Sequence, residues 1–314
     1  MLIKLGYACI SKTLEGITPS TPFTYTEYLK YHNLTKLNNI IESNLKDLNE
    51  LINYNIKNNI HFFRISSKLV PLATRIEVIF DYKIKFEKYY NSIGKKIADS
   101  NIRCDFHPDQ FCILNSTKQE VLDNTVEILK YHYKILEYLN IKNKVIVLHI
   151  GSSVLGKENS KKRFINNFKK LPIDIQKSIA IENDDKVFNI KDCIDIYNEI
   201  KTPIVLDYHH HICNNDGINI NFYIKTILDS WGNITPKMHF SSPKNKTKKD
   251  FRSHHDFINS DSFINFIDLI KVYNKDVDIM IEAKAKDMAL FKLIRELKYK
   301  TNYEFIDETS FRIL

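Results

Sequence analysis

Glycine is scarce in this chain, 7 residues in 314. No G-x-G-x-x-G and no Walker-type loop opens any segment of helical period, which removes the usual phosphate cradles and argues against a nucleotide cofactor. The five cysteines (Cys9, Cys104, Cys112, Cys193, Cys213) are scattered without a C-x-x-C pair. That argues against a disulfide framework and a cysteine zinc site, and fits a reducing compartment. No apolar stretch approaches the ~20 residues of a membrane span. Met1 to Tyr7 runs into strand-like sequence without a basic-then-apolar leader. A linker rich in Gly, Pro or Ser, a charge discontinuity and a repeat beyond strand–helix alternation are all missing. The expectation is one domain, 1–314, in a soluble, monomeric, cytoplasmic protein without a membrane partner.

What is present is a regular alternation. Strand-like runs stand near 2–9, 60–66, 102–106, 144–150, 178–182, 203–207, 236–240 and 277–282. Helical periods lie between them, such as Leu45, Leu48, Leu51 and Ile52, or Val121, Leu122, Thr125, Ile128, Leu129, His132 and Leu136. Pro172 and Pro203 mark helix-to-strand joints, and Asn189 reads as a helix N-cap. Eight such units in a chain of this length predict a (β/α)8 TIM barrel over a doubly wound open sheet. The connection after the first strand, Ser11 to Asn39, is long and carries Phe23, Tyr25, Tyr28 and Tyr31. Such loops are commonly functional, although each aromatic could equally pack the loop onto the barrel.

The ends of these runs carry the chemistry. Ile102–Phe106 leads into His107, Val145–Leu148 into His149, Ile204–Leu206 into Asp207 and His209–His211, and Lys237–Met238 into His239. Ile179–Ile181 ends in Glu182, and Ile279–Ile281 in Glu282. Strand alternation gives Val147 and His149 one face, as it does Val205 and Asp207, Lys237 and His239, and Met280 and Glu282. These side chains project into the mouth at the C-terminal rim, where carboxylates and imidazoles suit Zn²⁺ or Mn²⁺. His254 and His255 add candidates from the seventh loop. A single structural ion needs about four ligands, so this set predicts two or three ions and in-line displacement at phosphorus. Glu182 and Asp207, central in strand order, are the bridging candidates. Lys237 places an amine two residues deeper than His239, where nearby cations would depress its pKa and leave it neutral or carboxylated. His32, His61 and His132, away from the strand ends, read as structural.

The formal charge of +8 and the isoelectric point near 9.0 allow a polyanionic partner without establishing one. Placement says more. Between Lys237 and His255 stand Lys237, Lys244, Lys246, Lys248, Lys249 and Arg252 against Asp250 alone. A basic run that leaves one candidate ligand and returns to another fits a phosphate backbone better than an isolated solvated loop.

Ordered stretches along nearly the whole chain resemble the UV damage endonucleases. They are Leu5-Gly6-Tyr7, Arg64-Ile65-Ser66-Ser67 with Pro71-Leu72-Ala73-Thr74, and His107-Pro108-Asp109-Gln110-Phe111. Leu148-His149, Ile181-Glu182-Asn183-Asp184 and Leu206-Asp207 through His211 follow. Lys237-Met238-His239-Phe240-Ser241, Arg252-Ser253-His254 and Ile281-Glu282-Ala283-Lys284 complete the set. The resemblance implies a barrel related to endonuclease IV that nicks double-stranded DNA immediately 5′ to cyclobutane pyrimidine dimers or 6-4 photoproducts, and in some members at abasic sites. It implies divalent ions, manganese foremost with zinc, magnesium or cobalt as alternatives, and products with a 3′-hydroxyl and a 5′-phosphate, formed without ATP.

Carried over by position, the implied metal ligands are His107, His149, Glu182, Asp207, His210, His239, His254 and Glu282. His210 follows the family's Asp-x-x-His spacing, whereas alternation from Asp207 favours His209. Glu182, Lys237 and Glu282 take the catalytic roles, with Lys237 open to carboxylation. Gln110 and Phe111 match a pair that wedges into the duplex, Tyr7 matches a lesion-side aromatic, and Lys244, Lys246, Lys248 and Arg252 are the expected backbone contacts. Phe111 lacks the usual tyrosine hydroxyl, Arg75 stands where His is common, and Ser11 where Asn is common. The rival readings are an abasic-site endonuclease of the endonuclease IV kind, a divalent-metal sugar isomerase or epimerase, and a non-catalytic metal-stabilised DNA-binding barrel.

Overall fold

Short β-branched runs that are apolar on both faces form strands only where both faces are covered, as in a parallel barrel. In the computed structural model, which describes residues 1–32, 34–247 and 250–314, the eight runs do so. They are β1 (Leu2–Ala8), β2 (Phe62–Arg64), β3 (Arg103–Asp105), β4 (Ile146–His149), β5 (Ile179–Glu182), β6 (Ile204–Asp207), β7 (Lys237–Phe240) and β8 (Val277–Ile281). All neighbouring pairs are parallel, in the order β3-β2-β1-β8-β7-β6-β5-β4. The ring closes between β3 and β4 through Phe106, whose N–H donates to the Val145 carbonyl at 3.1 Å and whose carbonyl accepts from Val147 at 2.9 Å.

Helices cover the outside. α1 (Leu34–Lys57) buries Leu37, Ile41, Leu45, Leu48 and Ile52, one stripe at helical spacing, in the layer that also holds Ile3, Leu5 and Phe63. α2 (Glu87–Asp99) and α3 (Gln119–Tyr138) follow, then α4 (Lys157–Phe168) and α5 (Ile190–Ile200), and last α6 (Ser260–Lys271) and α7 (Lys286–Lys300). Asn189 caps α5 as expected, in a capping box with Asp192. Inside the barrel Gly6 is required. A Cβ there would lie 2.2 Å from the Phe62 carbonyl oxygen, so β1 can approach β2 only without a side chain.

Two strands lie outside the eight that the alternation predicts. β10 (Ser310–Arg312) runs antiparallel to β1 at Leu2–Lys4 and pairs with β9 (Glu304–Phe305). β2 reaches only Gly6–Ala8 of β1, so the C-terminal hairpin takes the ladder positions left open below it. Among the described residues no helix is long and apolar enough to cross a membrane.

Candidate metal centre and nucleic-acid interface

The strand ends converge. Glu182, at the end of β5 and 1% exposed, is the hub. Its Oε2 lies 2.7 Å from His107 Nε2 and 3.7 Å from His149 Nε2. Its Oε1 lies 2.7 Å from His239 Nδ1 and 3.8 Å from His210 Nδ1. Glu282 approaches His239 at 3.4 Å and His254 at 3.9 Å. Three sets of donor atoms each fall within 4.8 Å: His107, His149 and Glu182; Glu182, Asp207 and His210; Asp207, His239 and Glu282. The sets overlap at Glu182 and at Asp207, the two carboxylates singled out as bridging candidates.

The donor set fits divalent cations. Asp207 Oδ2 and His149 Nδ1 are buried without a hydrogen-bond partner, which costs free energy unless something else engages them. Burial alone would raise the Glu182 carboxyl, but His239, His149 and His107 around it outweigh that and hold it well below the carboxylate range. Burial pushes the His107 imidazole down, and that of His239 down to about 4, despite the Glu182 carboxylate beside each. At His107 and His239 a neutral imidazole facing the ionised Glu182 carboxylate is the state in which both side chains bind a metal, whereas His210, despite the burial that lowers it, is raised to about 9 by Asp207 and Glu182 and would give up its proton to a cation.

Local structure brings His210, rather than His209, beside Asp207 and Glu182. β6 ends at Asp207, and a short helix over Tyr208–Cys213 begins at once. Strand alternation therefore stops. Asp207 caps that helix by accepting the His210 N–H at 2.8 Å, and His210 turns back to the rim with Nδ1 3.7 Å from Asp207 Oδ2. His209 faces Cys213 and Phe251 instead.

Lys237 is fully buried, and its Nζ lies 2.6 Å from Asp105 Oδ2. Burial lowers this amine to about 8, against the pull of Asp105. Asp105 was missed in the sequence, as was Arg64 as a site residue. Arg64 donates to His239 Nε2 at 2.9 Å, lies 2.7 Å from Glu282 Oε1, and reaches within 4.0 Å of Asp105. The signal was available, because Asp105 stands two residues below His107 as Lys237 stands two below His239.

The seventh loop folds back as a hairpin, with Pro243 bridged to His254 and the Lys244 N–H donating to Ser253, which returns His254 to Glu282. Lys244 and Lys246 are exposed there, Lys244 lying 3.5 Å from Asp250 and Arg252 3.6 Å from Asp185. Lys248 lies outside the described residues. Gln110 and Phe111 are exposed beyond His107, in a turn where Asp109 accepts the Phe111 N–H at 2.9 Å.

Tyr7 is a correction. It is fully buried, packed on Phe63, and its hydroxyl donates to Asn55 of α1 at 2.8 Å. Gly6 and Ala8 take the inner face of β1, so alternation sends Tyr7 outward into the helix layer, where it cannot touch DNA. Ser11 is likewise 4% exposed. Its hydroxyl donates to Asp287 at 2.7 Å and accepts the Thr13 and Leu14 N–H groups, so it organises the first loop. Arg75 stacks over Tyr25 at 5.1 Å. His132 is buried with Nδ1 donating to Ile128 O, and His61 contacts Asp307, structural placements for both.

A family profile described as UV-endonuclease UvdE matches residues 3–310. The UV DNA damage endonuclease of Bacillus cereus strain B4264 is 37% identical over 303 residues, covering 95% of each chain. That of Bacillus anthracis is 36% identical over the same span. The crystal structure of SacUVDE superposes with a TM-score of 0.86 at 32% identity, covering 95% of this chain and 99% of that one. Endonuclease IV from Thermus thermophilus (TM-score 0.54, 13% identity, 81% of this chain and 95% of that one) shares the fold alone. The match spans β1 to β10 and includes every rim residue described above: the chain belongs to the UV-endonuclease UvdE family.

Proposed function

We propose that the protein is a DNA repair endonuclease that incises duplex DNA immediately 5′ to UV photoproducts. The observation that carries this reading is the overlap of three donor sets at Glu182 and Asp207 in the barrel mouth, next to the exposed Gln110–Phe111 turn. His107, His149, Glu182, Asp207, His210, His239 and Glu282 would hold two or three divalent ions, with His254 completing the set beside Glu282. Such ions supply positive charge against the phosphodiester oxygens and acidify water near neutral pH.

The remaining work falls to the chain itself. Arg64 orients His239 and Glu282 from below and adds a fixed positive charge beside them. Lys237 is held by Asp105 under the same ligands. That contact supports the amine as an ion-pair partner, and a carbamate at Nζ would require Asp105 to give it up. Gln110 and Phe111 stand where an exposed side chain can fill the gap left by extruded bases, Phe111 by stacking alone. A cavity of about 670 Å³ beside His107, lined among others by Cys9, Ser66, Pro71 and Thr74, offers room for a displaced lesion. Lys244, Lys246, Lys248 and Arg252 supply charge along the backbone.

The test is incision of a thymine-dimer duplex with added Mn²⁺, with chelator, and beside an abasic duplex of the same sequence. The expected result is a metal-dependent nick on the 5′ side of the dimer. Turnover of the abasic duplex alone would replace the photolesion reading with that of an abasic-site endonuclease.

A further inference from the structure

The loop between β4 and α4, Gly151 to Gly156, has an unusual construction. Gly151, Leu155 and Gly156 all have positive φ, 112°, 65° and 93°. Glycine adopts this region freely, but a leucine there costs about 1–2 kcal/mol. The side chain that bears this strain is not buried in return. Leu155 is 72% exposed and its neighbour Val154 52%. An exposed leucine in a left-handed conformation gains nothing for folding, and strain of this kind points toward a use.

The loop is held from beneath by side chains. The buried Asn115 amide clasps Ser152, accepting its N–H at 2.9 Å and donating to its carbonyl at 2.8 Å. Arg163 of α4 donates to the Val154 carbonyl, Asn159 to that of Leu155 at 2.9 Å, and Ser160 to that of Gly156 at 2.9 Å. The polar groups of this backbone thus face inward and its two large apolar side chains face solvent.

Asn115 belongs to the connection after β3 that also presents Gln110 and Phe111. Arg163 donates to the Asn115 carbonyl at 3.0 Å as well, which ties the two loops together. Their approach is close, since a Cβ on Gly151 would lie 2.6 Å from Asn115 Oδ1. Two adjacent rim loops therefore form one braced unit, and its exposed apolar side chains are Phe111, 69% exposed, Val154 and Leu155.

We propose that Leu155, supported by Val154, is a second apolar wedge that enters the lesion-containing duplex beside Phe111. The proposal rests on the endonuclease reading above. A photoproduct step is already poorly stacked, so an aliphatic side chain inserted there displaces little stacking and leaves water. Bracing matters because a mobile loop would lose side-chain and backbone freedom on binding, whereas this one is ordered beforehand.

Leu155→Asn tests it, because asparagine accepts a left-handed backbone but cannot act as an apolar wedge. The readouts are steady-state incision of a thymine-dimer duplex and fluorescence of a 2-aminopurine placed next to the dimer. KM should rise about tenfold with kcat within about twofold. The 2-aminopurine signal on binding should fall, and the melting temperature should hold or increase. Leu155→Met should restore KM, and Val154→Ser should shift it in the same direction by less. Parental KM and fluorescence in Leu155→Asn, or a drop confined to kcat, would overturn the wedge while leaving the endonuclease reading intact. Failure of the parent protein to incise the dimer would remove that reading, and the wedge with it.

Discussion

The inside of the barrel is divided. On the side of β4, β5 and β6 it is apolar, filled by Val145, Val147, Ala180 and Val205 under Trp231. On the side of β2, β3, β7 and β8 it is a column of charge. Arg103 pairs with Asp278 at 2.8 Å near the base, Lys237 with Asp105 at 2.6 Å in the middle, and Arg64 with Glu282 at 2.7 Å at the rim. Phe62 lies between the lower two pairs, with Arg103 and Lys237 each 5.4 Å from its ring centroid. The apolar side follows the usual rule for a packed barrel interior. The charged side does not, because buried ion pairs seldom repay their desolvation and are often replaceable by apolar residues without loss. The difference teaches that half of this interior is arranged for folding, while the other half fixes charged groups beneath the candidate ligands His239 and Glu282.

The comparison breaks most severely where the halves meet. Glu182 rises from the apolar side yet contacts His239 from the charged side. Glu182→Gln should lower incision at least about a thousandfold and reduce bound metal, with the fold kept; incision assays with elemental analysis of the purified variant check both. Next comes Lys237→Met, which leaves Asp105 buried without its near cation and should cost about 3–5 kcal/mol in denaturant unfolding. Adding Asp105→Asn should recover most of that stability without recovering incision. Restored activity in the double variant would mean the column serves folding after all. The smallest effect belongs to the apolar side. Val147→Ala should cost about 2 kcal/mol by opening a cavity, and incision per folded molecule should remain near the parent's.

Much of this was legible along the chain. Eight strands, their order of appearance, the Asn189 cap and the residues at the strand ends follow from local rules of periodicity, capping and alternation, which act over a few residues. Lys237 is visible by the same rule, and so is Asp105, two residues before His107. The C-terminal hairpin was not legible, because Ser310–Arg312 finds its ladder only after β2 proves too short to fill the edge of β1.

The sequence by itself determined the barrel and which side chains compete for its mouth, since alternation and composition are properties of neighbours in the chain. The tertiary structure alone decided how those side chains are used. It set Glu182 against four imidazoles and seated the Tyr7 hydroxyl on Asn55. It also braced the loop of Leu155 against that of Phe111. Each of these depends on distances between residues tens of positions apart, and only the closed, packed chain fixes such distances.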